Sequence, residues 1–144
     1  MSISIINGFI YYCLFLSSIT VGRGDLAESY GLDRYKGTVN SKEIYEITYK
    51  TFSLGRSKGL KTYLGGSMNY QSIDFIRELK NENLIDYFET RNVVFDINVL
   101  DDFSFNEMID LAFSFEKNKM EARRAYYEFL YNEDFERLKR LGNL

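Results

Sequence analysis

The sequence predicts an α/β domain built on a small parallel sheet, and three observations lead to that class. Short apolar, β-branched runs alternate from about residue 16 onward with segments of helical periodicity. Glycines close two of those runs. The chain has 144 residues, of which 45% are hydrophobic and 27% charged, which fits one globular domain over 1–144. Alternation of this kind is typical of βα units.

The first element comes from the apolar segment "IINGFIYYCLFLSSITV". No lysine or arginine precedes Arg23, the segment contains Asn7 and two serines, and it is shorter than the roughly 20 apolar residues that a membrane span needs. We therefore expect a buried element, no membrane association and a cytoplasmic protein. Its end, "FLSSITV", is β-branched and followed by glycine, which predicts a core strand over about 16–21.

The next two elements are a helix and a strand. Asn40 and Glu43 resemble a capping box, and an apolar stripe then runs up to Gly55 or Gly59. The stripe consists of Ile44, Ile47, Thr48, Thr51 and Phe52. The run "LKTYLGG" predicts a second strand that ends at Gly65 and Gly66, where the backbone either approaches a ligand or turns tightly.

The remaining elements repeat this order. Asn69 is a candidate cap for a helix with apolar positions at Ile73, Ile76, Leu79 and Leu84. The segment "YFETRNVVFDI" then predicts a third strand, and Ser104 with Glu107 form a second capping pattern before a helix and a final amphipathic segment. The spacing of the tyrosines and phenylalanines between 105 and 135 predicts core and helix-packing positions.

Composition excludes several kinds of site. The net charge is only −3 and no dense basic block occurs, so nucleic acid is not an expected partner. The single cysteine, Cys13, excludes an internal disulfide and a Cys-rich zinc site, and the chain contains no histidine. Any metal would need oxygen ligands, which favours magnesium, manganese or calcium.

The stretch "ITVGRGDLAESYG" is the candidate site, because Asp25 directly follows a strand and a Gly-x-Gly turn. Asp25 can be a ligand or an ordinary helix N-cap, and the tripeptide Arg23-Gly24-Asp25 is a chance match to an adhesion motif. Glu28 is expected to be a solvated side chain.

Two stretches carry a family resemblance. "VGRGDLAESYG" resembles the G-x-x-D-L-(S/A)-x-x-x-G loop of the HpcH/HpaI aldolase and citrate lyase beta-subunit family. "GLKTYLGGSMNYQSIDFIRELKNENLIDYFETRNVVFDI" is similar to the strand, helix and last strand that follow in a subgroup of that family. The similarity covers roughly residues 19–97, and the terminal helices are compatible with it.

The resemblance implies a partial TIM (β/α)8 barrel, consisting of roughly the last three βα units and the C-terminal helices. It also implies a divalent ion, Mg²⁺ or Mn²⁺, held at the barrel mouth by a glutamate and an aspartate, with Asp25 at the aspartate position. The turn formed by Gly22, Gly24, Asp25 and Leu26 would face a substrate carboxylate. The implied substrate is a keto acid or an acyl-CoA-type molecule, and the glutamate and a substrate-binding arginine would precede Met1. Glu89 and Arg91 would pair inside the barrel in a structural role.

Two functions follow as expectations. The first is a metal-dependent carbon–carbon lyase of the pyruvate-aldolase or citrate-lyase type, incomplete as this chain alone. The second is a non-catalytic half-barrel that serves as a binding or assembly module. In a barrel fragment the faces around Val21, Leu64, Val94 and Phe95 would lack an opposite wall, which predicts self-association or a complementing barrel half.

Overall fold

The computed structural model describes residues 16–33, 37–66 and 68–142, which fall into two compact units, Met1–Phe105 and Asn106–Leu144. The described part of the first unit contains four strands, three helices and two 3₁₀ turns, Thr38–Asn40 and Ile97–Asp101. In chain order they are β1 (Ser18–Gly22), α1 (Arg23–Ser29), α2 (Lys42–Ser57), β2 (Lys61–Gly65), α3 (Ser72–Asn81), β3 (Tyr87–Glu89) and β4 (Val94–Asp96). A single long helix, α4 (Phe105–Arg140), begins at the last residue of the first unit and accounts for the second unit up to Arg140.

The sheet is open and mixed, with strand order β1-β2-β3-β4. β1, β2 and β3 are parallel, with Ser18 opposite Lys61 and Tyr63 opposite Tyr87. β4 runs antiparallel to β3. The predicted α/β class is therefore confirmed.

The prediction of one third strand over "YFETRNVVFDI" is wrong, because this segment folds back on itself. The Thr90 amide donates to the Val93 carbonyl at 2.9 Å, and the Thr90 hydroxyl accepts from the Val93 amide at 3.2 Å. These bonds close a tight turn between β3 and β4, where Phe88 lies opposite Phe95. Arg91 falls in the turn and is exposed, so it does not continue the strand beyond Glu89.

Helices cover one face of the sheet. Ile19, Thr62, Leu64 and Phe88 belong to this face, and the Phe88 ring stacks on Phe95 at 5.1 Å. A Cβ at Gly55 of α2 would lie 2.8 Å from the Ile19 Cγ2 atom, so glycine is what lets this helix approach the sheet.

The opposite face is open in the described part of the chain. Thr20 is exposed, and Tyr63 and Tyr87 are half-buried with stacked rings 4.7 Å apart. The expectation that Val21, Leu64, Val94 and Phe95 share an unprotected face is wrong. Val21, Leu64 and Phe95 are buried, whereas Val94 is 57% exposed, because successive strand residues point to opposite faces.

Two side-chain networks fix the helix starts and the amino edge of the sheet. Ser41, not Asn40, caps α2 by accepting from the Ile44 amide, whereas Asn69 accepts from the Ser72 amide at the start of α3.

At the amino edge of the sheet, Asp86 forms ion pairs with Arg56 at 3.1 Å and Lys61 at 3.3 Å. Burial alone would raise the Asp86 pKa, but the hydrogen bond from the Thr62 backbone, the Lys61 bond and both cations lower it overall.

In α4 the burial of side chains ends after the first turns. Ile109 and Ala112 are buried, whereas Phe115 is 54% exposed and Phe129 is 62% exposed. The predicted helix and final amphipathic segment are one continuous helix, and the prediction that its aromatic residues up to 135 are core is wrong beyond Ala112. From residue 113 to residue 140 no side chain is buried, and charged residues are interspersed with the apolar ones.

Among the residues described, no helix is both long and apolar enough to cross a membrane. The predicted strand at 16–21 is confirmed as Ser18–Gly22. The buried element predicted before it, together with Cys13, lies outside the described residues.

Candidate functional site

Asp25 lies where the first parallel strand ends. Gly22 is the last residue of β1 and the N-cap of α1, and Gly65 is its register partner at the end of β2. A Cβ at Gly22 would lie 3.4 Å from the Asp25 Oδ2 atom. The Asp25 carboxylate is therefore held beside the glycine at the carboxyl edge of the sheet, on the side to which a Gly22 side chain would point.

The Glu89 side chain of β3 lies against Gly65, the last residue of the neighbouring strand β2. Glu89 ends β3, one residue beyond Phe88, and a Cβ at Gly65 would collide with its Oε1 atom. Glycine at position 65 is thus required for this carboxylate to lie against β2. Because neighbouring strands are about 4.8 Å apart, Asp25 and Glu89 place their carboxylates over adjacent strand ends. We call this pair of glycines and pair of carboxylates the acidic edge.

A buried arginine holds the backbone around the acidic edge. The Arg23 side chain has no exposed surface. Its Nε donates to the Gly65 carbonyl at 3.4 Å and its Nη2 to the Gly66 carbonyl at 3.0 Å, while Nη1 donates to the Asn40 Oδ1 atom. The guanidinium also lies 5.1 Å from the centre of the Phe75 ring. Burial lowers the Arg23 pKa to about 10.

These contacts make Arg23 a positioning residue. Its donors join the end of β2 to the end of β1 and to the residue just before the α2 cap, so the strand ends cannot move independently. Gly66 completes the junction. It has φ of +81°, and a Cβ there would lie 2.7 Å from the Arg23 backbone nitrogen and 2.8 Å from that of Gly24. Only glycine allows this close approach.

A groove of about 360 Å³ opens beside the same strand end. The lining residues with polar side chains are Thr20, Asp25, Ser29 and Thr51, and most of the lining is apolar. The apolar contributors include Ile19, Val21, Leu26 and Ile47. β1 is the first strand of the sheet, and in the described ranges no strand pairs with its outer edge. Within the described residues, the groove is thus bordered by a strand edge whose outer side has no strand partner.

The four predicted site residues lie together but differ in accessibility. Asp25 is exposed, Gly22 and Leu26 are half-buried, and Gly24 is buried. The N-cap interpretation of Asp25 is wrong, because Gly22 is the N-cap and Asp25 is the third residue of α1. An acidic residue in this first turn still interacts favourably with the helix dipole.

The acidic edge offers two carboxylates to a cation. No group of three or more Asp, Glu, Cys or His side chains that could hold a metal occurs in the part of the chain that the structure describes. Two carboxylates nevertheless fit Mg²⁺ or Mn²⁺, since magnesium in proteins is usually held by one or two carboxylates and completes its shell with water and substrate oxygens. They do not form a closed metal cage.

Searches against protein-family models, curated proteins and solved structures find nothing that matches this chain.

Two residues of the site were not predicted in these roles. Glu89 was expected to pair with Arg91, and its approach to Gly65 depends on a strand register that cannot be read from the sequence. From the sequence, Arg23 belongs only to a chance tripeptide. A basic residue between two glycines directly after a strand is the one signal that could have identified it.

Proposed function

We propose that this chain supplies the metal- and substrate-binding edge of a carbon–carbon lyase of the pyruvate-aldolase or citrate-lyase type. The observation that carries the proposal is the acidic edge, where Asp25 and Glu89 approach neighbouring glycines at the carboxyl ends of parallel strands. Sites of α/β proteins are built at this end of the sheet. The resemblance of the Asp25 loop to the aldolase family supports the same interpretation.

The residues divide the work in a simple way. Asp25 and Glu89 would ligate Mg²⁺ or Mn²⁺, and the half-buried positions Gly22 and Leu26 would border the keto acid or acyl-CoA-type substrate. A bound divalent ion supplies electrostatic stabilisation of the negative charge that develops on an enolate oxygen. Arg23 keeps both strand ends at a fixed distance, which a two-carboxylate site requires.

The proposal includes a barrel continued beyond this sheet. β1 has an open edge in the described residues, and the groove beside it contains Asp25. A further strand on that edge would extend the parallel sheet and bring another side chain to Asp25. Turnover is therefore expected only with a complementing barrel half, while weak metal binding belongs to this chain.

Binding of Mn²⁺ tests the proposal directly, with and without pyruvate, by isothermal titration calorimetry. We expect the wild-type chain to bind Mn²⁺ with a dissociation constant of roughly 1 mM, since a site with few ligand charges is weak. Pyruvate should tighten binding several-fold by adding oxygen ligands. Asp25→Asn and Glu89→Gln should each weaken it about tenfold, because each removes one of two carboxylates.

Asp74→Asn is the matched control, because Asp74 is an exposed carboxylate in the first turn of α3. It should leave Mn²⁺ binding unchanged. Equal binding by wild type, Asp25→Asn and Glu89→Gln would refute the proposed site. If Asp25→Asn lost Mn²⁺ binding and Glu89→Gln did not, Glu89 would not be a ligand of the proposed site.

One observation favours a second function, that of an assembly module without turnover. The groove beside β1 is mainly apolar and borders a strand edge that pairs with nothing in the described segments. An added strand is a common way for such an edge to be used in recognition. Absence of Mn²⁺ binding would leave this function as the better one.

A further inference from the structure

The distal half of α4 exposes several large apolar side chains on one face. Met120 is 45% exposed, Tyr127 61%, Tyr131 67% and Leu138 46%. Their spacings of seven, four and seven residues place all four on one side of an α-helix. Four large apolar side chains aligned along one exposed helix face are typical of a surface that binds another protein.

Three charged residues complete this face. Lys117 precedes the apolar residues, and Arg124 and Asp134 lie between them, so that residues 117, 124, 131 and 138 repeat every seven residues. Residues 120, 127 and 134 form the second seven-residue series, four positions before 124, 131 and 138. Two interleaved seven-residue series are the pattern of a coiled-coil seam. We call these seven residues the α4 seam.

Charge along α4 is divided into blocks of opposite sign. Residues 117–124 contain four basic residues and one acidic residue, whereas residues 128–136 contain four acidic residues and no basic one. Within the basic block, the ion pair of Lys117 with Glu121 has an N–O distance of 3.9 Å between well-exposed groups and is therefore weak. A second helix running in the opposite direction would bring the basic block of one copy beside the acidic block of the other.

We propose that two copies of the chain associate through antiparallel pairing of their α4 seams. In the alignment that places Lys117 opposite Asp134, Met120 falls opposite Tyr131. The same alignment places Arg124 opposite Tyr127. The six seam residues from 117 to 134 then form an ion pair, an apolar contact and a cation–π contact, while Leu138 falls opposite position 113, outside the α4 seam. The two-fold axis repeats each pair, so the seam is complementary to itself.

Parallel pairing of the same seams would be unfavourable. It would place Lys117 against Lys117, Arg124 against Arg124 and Asp134 against Asp134. Like charges facing each other across a helix pair are destabilising. The sequence of the seam thus selects the antiparallel arrangement. The mutually paired seam residues span 117–134, about 27 Å at about 1.5 Å per residue, so we expect a dissociation constant in the micromolar range.

Sedimentation velocity of the full chain between about 1 and 100 µM tests the proposal. The wild type should shift from monomer to dimer across this range. Lys117→Glu and Asp134→Lys should each raise the dissociation constant about tenfold or more, because both symmetry-related ion pairs become repulsive. The double variant Lys117→Glu/Asp134→Lys should return to within about threefold of wild type, since it exchanges the charges of the same pair.

Lys119→Glu is the matched control. It makes the same charge change two residues away, at a position outside the seam, and should alter the dissociation constant by less than about threefold. All substituted positions are exposed, so far-UV circular dichroism should show an unchanged fold.

A wild type that remains monomeric at 100 µM would overturn the proposal. A dimer that responds equally to Lys117→Glu and Lys119→Glu would overturn the role of the seam. Failure of the double variant to restore the dimer would overturn the antiparallel alignment. These outcomes are independent of Mn²⁺ binding, because no residue of the acidic edge belongs to the seam.

Discussion

The sheet unit and the distal part of α4 use aromatic side chains in opposite ways. Phe88 of β3 is 1% exposed and stacks on Phe95, whereas Phe129 of α4 is 62% exposed. Both regions are rich in phenylalanine and tyrosine, and both have regular secondary structure. The difference lies in whether the chain itself provides a second layer, and only the sheet unit does so in the described residues.

This contrast implies that the sheet unit determines the stability of the fold, whereas distal α4 is available for association. In the sheet unit, α2 and the sheet approach closely at Gly55, and the apolar face is buried. In distal α4, ring contacts such as Tyr131 with Phe135 at 6.1 Å occur along the helix surface and bury little area. We therefore expect substitutions in the sheet unit to change the free energy of unfolding, and substitutions in distal α4 to change association.

A pair of phenylalanine substitutions is the strongest test of the contrast. Phe88→Ala should lower the free energy of unfolding by about 3–5 kcal/mol, because it leaves a cavity in the core. Phe129→Ala should change it by less than about 0.5 kcal/mol, since its ring is exposed and lies off the α4 seam. Urea unfolding monitored by near-UV circular dichroism measures both. Similar losses in the two variants would mean that α4 is packed as tightly as the sheet.

The second effect in size concerns Arg23. Arg23→Ala should cost about 3 kcal/mol, because the Gly65 and Gly66 carbonyls and the Asn40 amide oxygen lose their buried donors. Arg77→Ala is the control, since Arg77 forms an exposed pair with Asp74 at 3.7 Å and should cost less than about 0.5 kcal/mol. Urea midpoints of the two variants should differ clearly. An unchanged urea midpoint in Arg23→Ala would show that Arg23 does not hold the strand ends in position.

Two glycines with similar backbone angles provide the third test. Gly66→Ala should cost about 2–3 kcal/mol, because its Cβ would meet the Arg23 and Gly24 nitrogens. Gly31 has φ of +72° but no atom within 4 Å of its Cβ position, so Gly31→Ala should cost only about 1 kcal/mol of backbone strain. Thermal unfolding of both variants checks the difference. Equal losses would show that backbone angle alone decides both positions.

The smallest expected effect is the pH dependence due to Asp86. Its pKa in the folded chain lies below the ordinary value of 3.8, so the stabilisation it gives is complete well above that pH and is lost as pH falls through the folded-state pKa. Asp86→Asn should therefore cost about 1 kcal/mol at pH 7 and less at pH 3. Urea unfolding at both pH values measures this. A cost that grows on acidification would have the wrong sign.

The sequence predicted local features well and long-range pairing poorly. The strand ending at Gly22, the strand ending at Gly65 and the helix that follows Asn69 are all present, because each depends on short-range periodicity and capping. The hairpin at Thr90 was missed, because "FETRNVVF" contains no glycine or proline to mark a turn, and the turn depends on the Thr90 hydroxyl.

The candidate site was predicted only in part for the same reason. Asp25 follows its strand directly in the chain, so its place at the carboxyl edge could be predicted. Glu89 and Arg23 act through Gly65 and Gly66, and these contacts join residues more than twenty positions apart. Which strand faces which, and in what register, is decided by the packing of the whole sheet.

The parallel pairing of β1 with β2 also has a consequence for the order of folding. Ser18 and Lys61 are partners although more than forty residues separate them, and Arg23 reaches Gly66 across a similar stretch. The chain must close this long loop before either contact forms, which is slow, whereas α4 needs only contacts between residues four positions apart. We expect α4 to form within microseconds and the contacts of Arg23 with Gly65 and Gly66 to form much later. During that interval the apolar face of the sheet is open, so crowded refolding should lose material to aggregation.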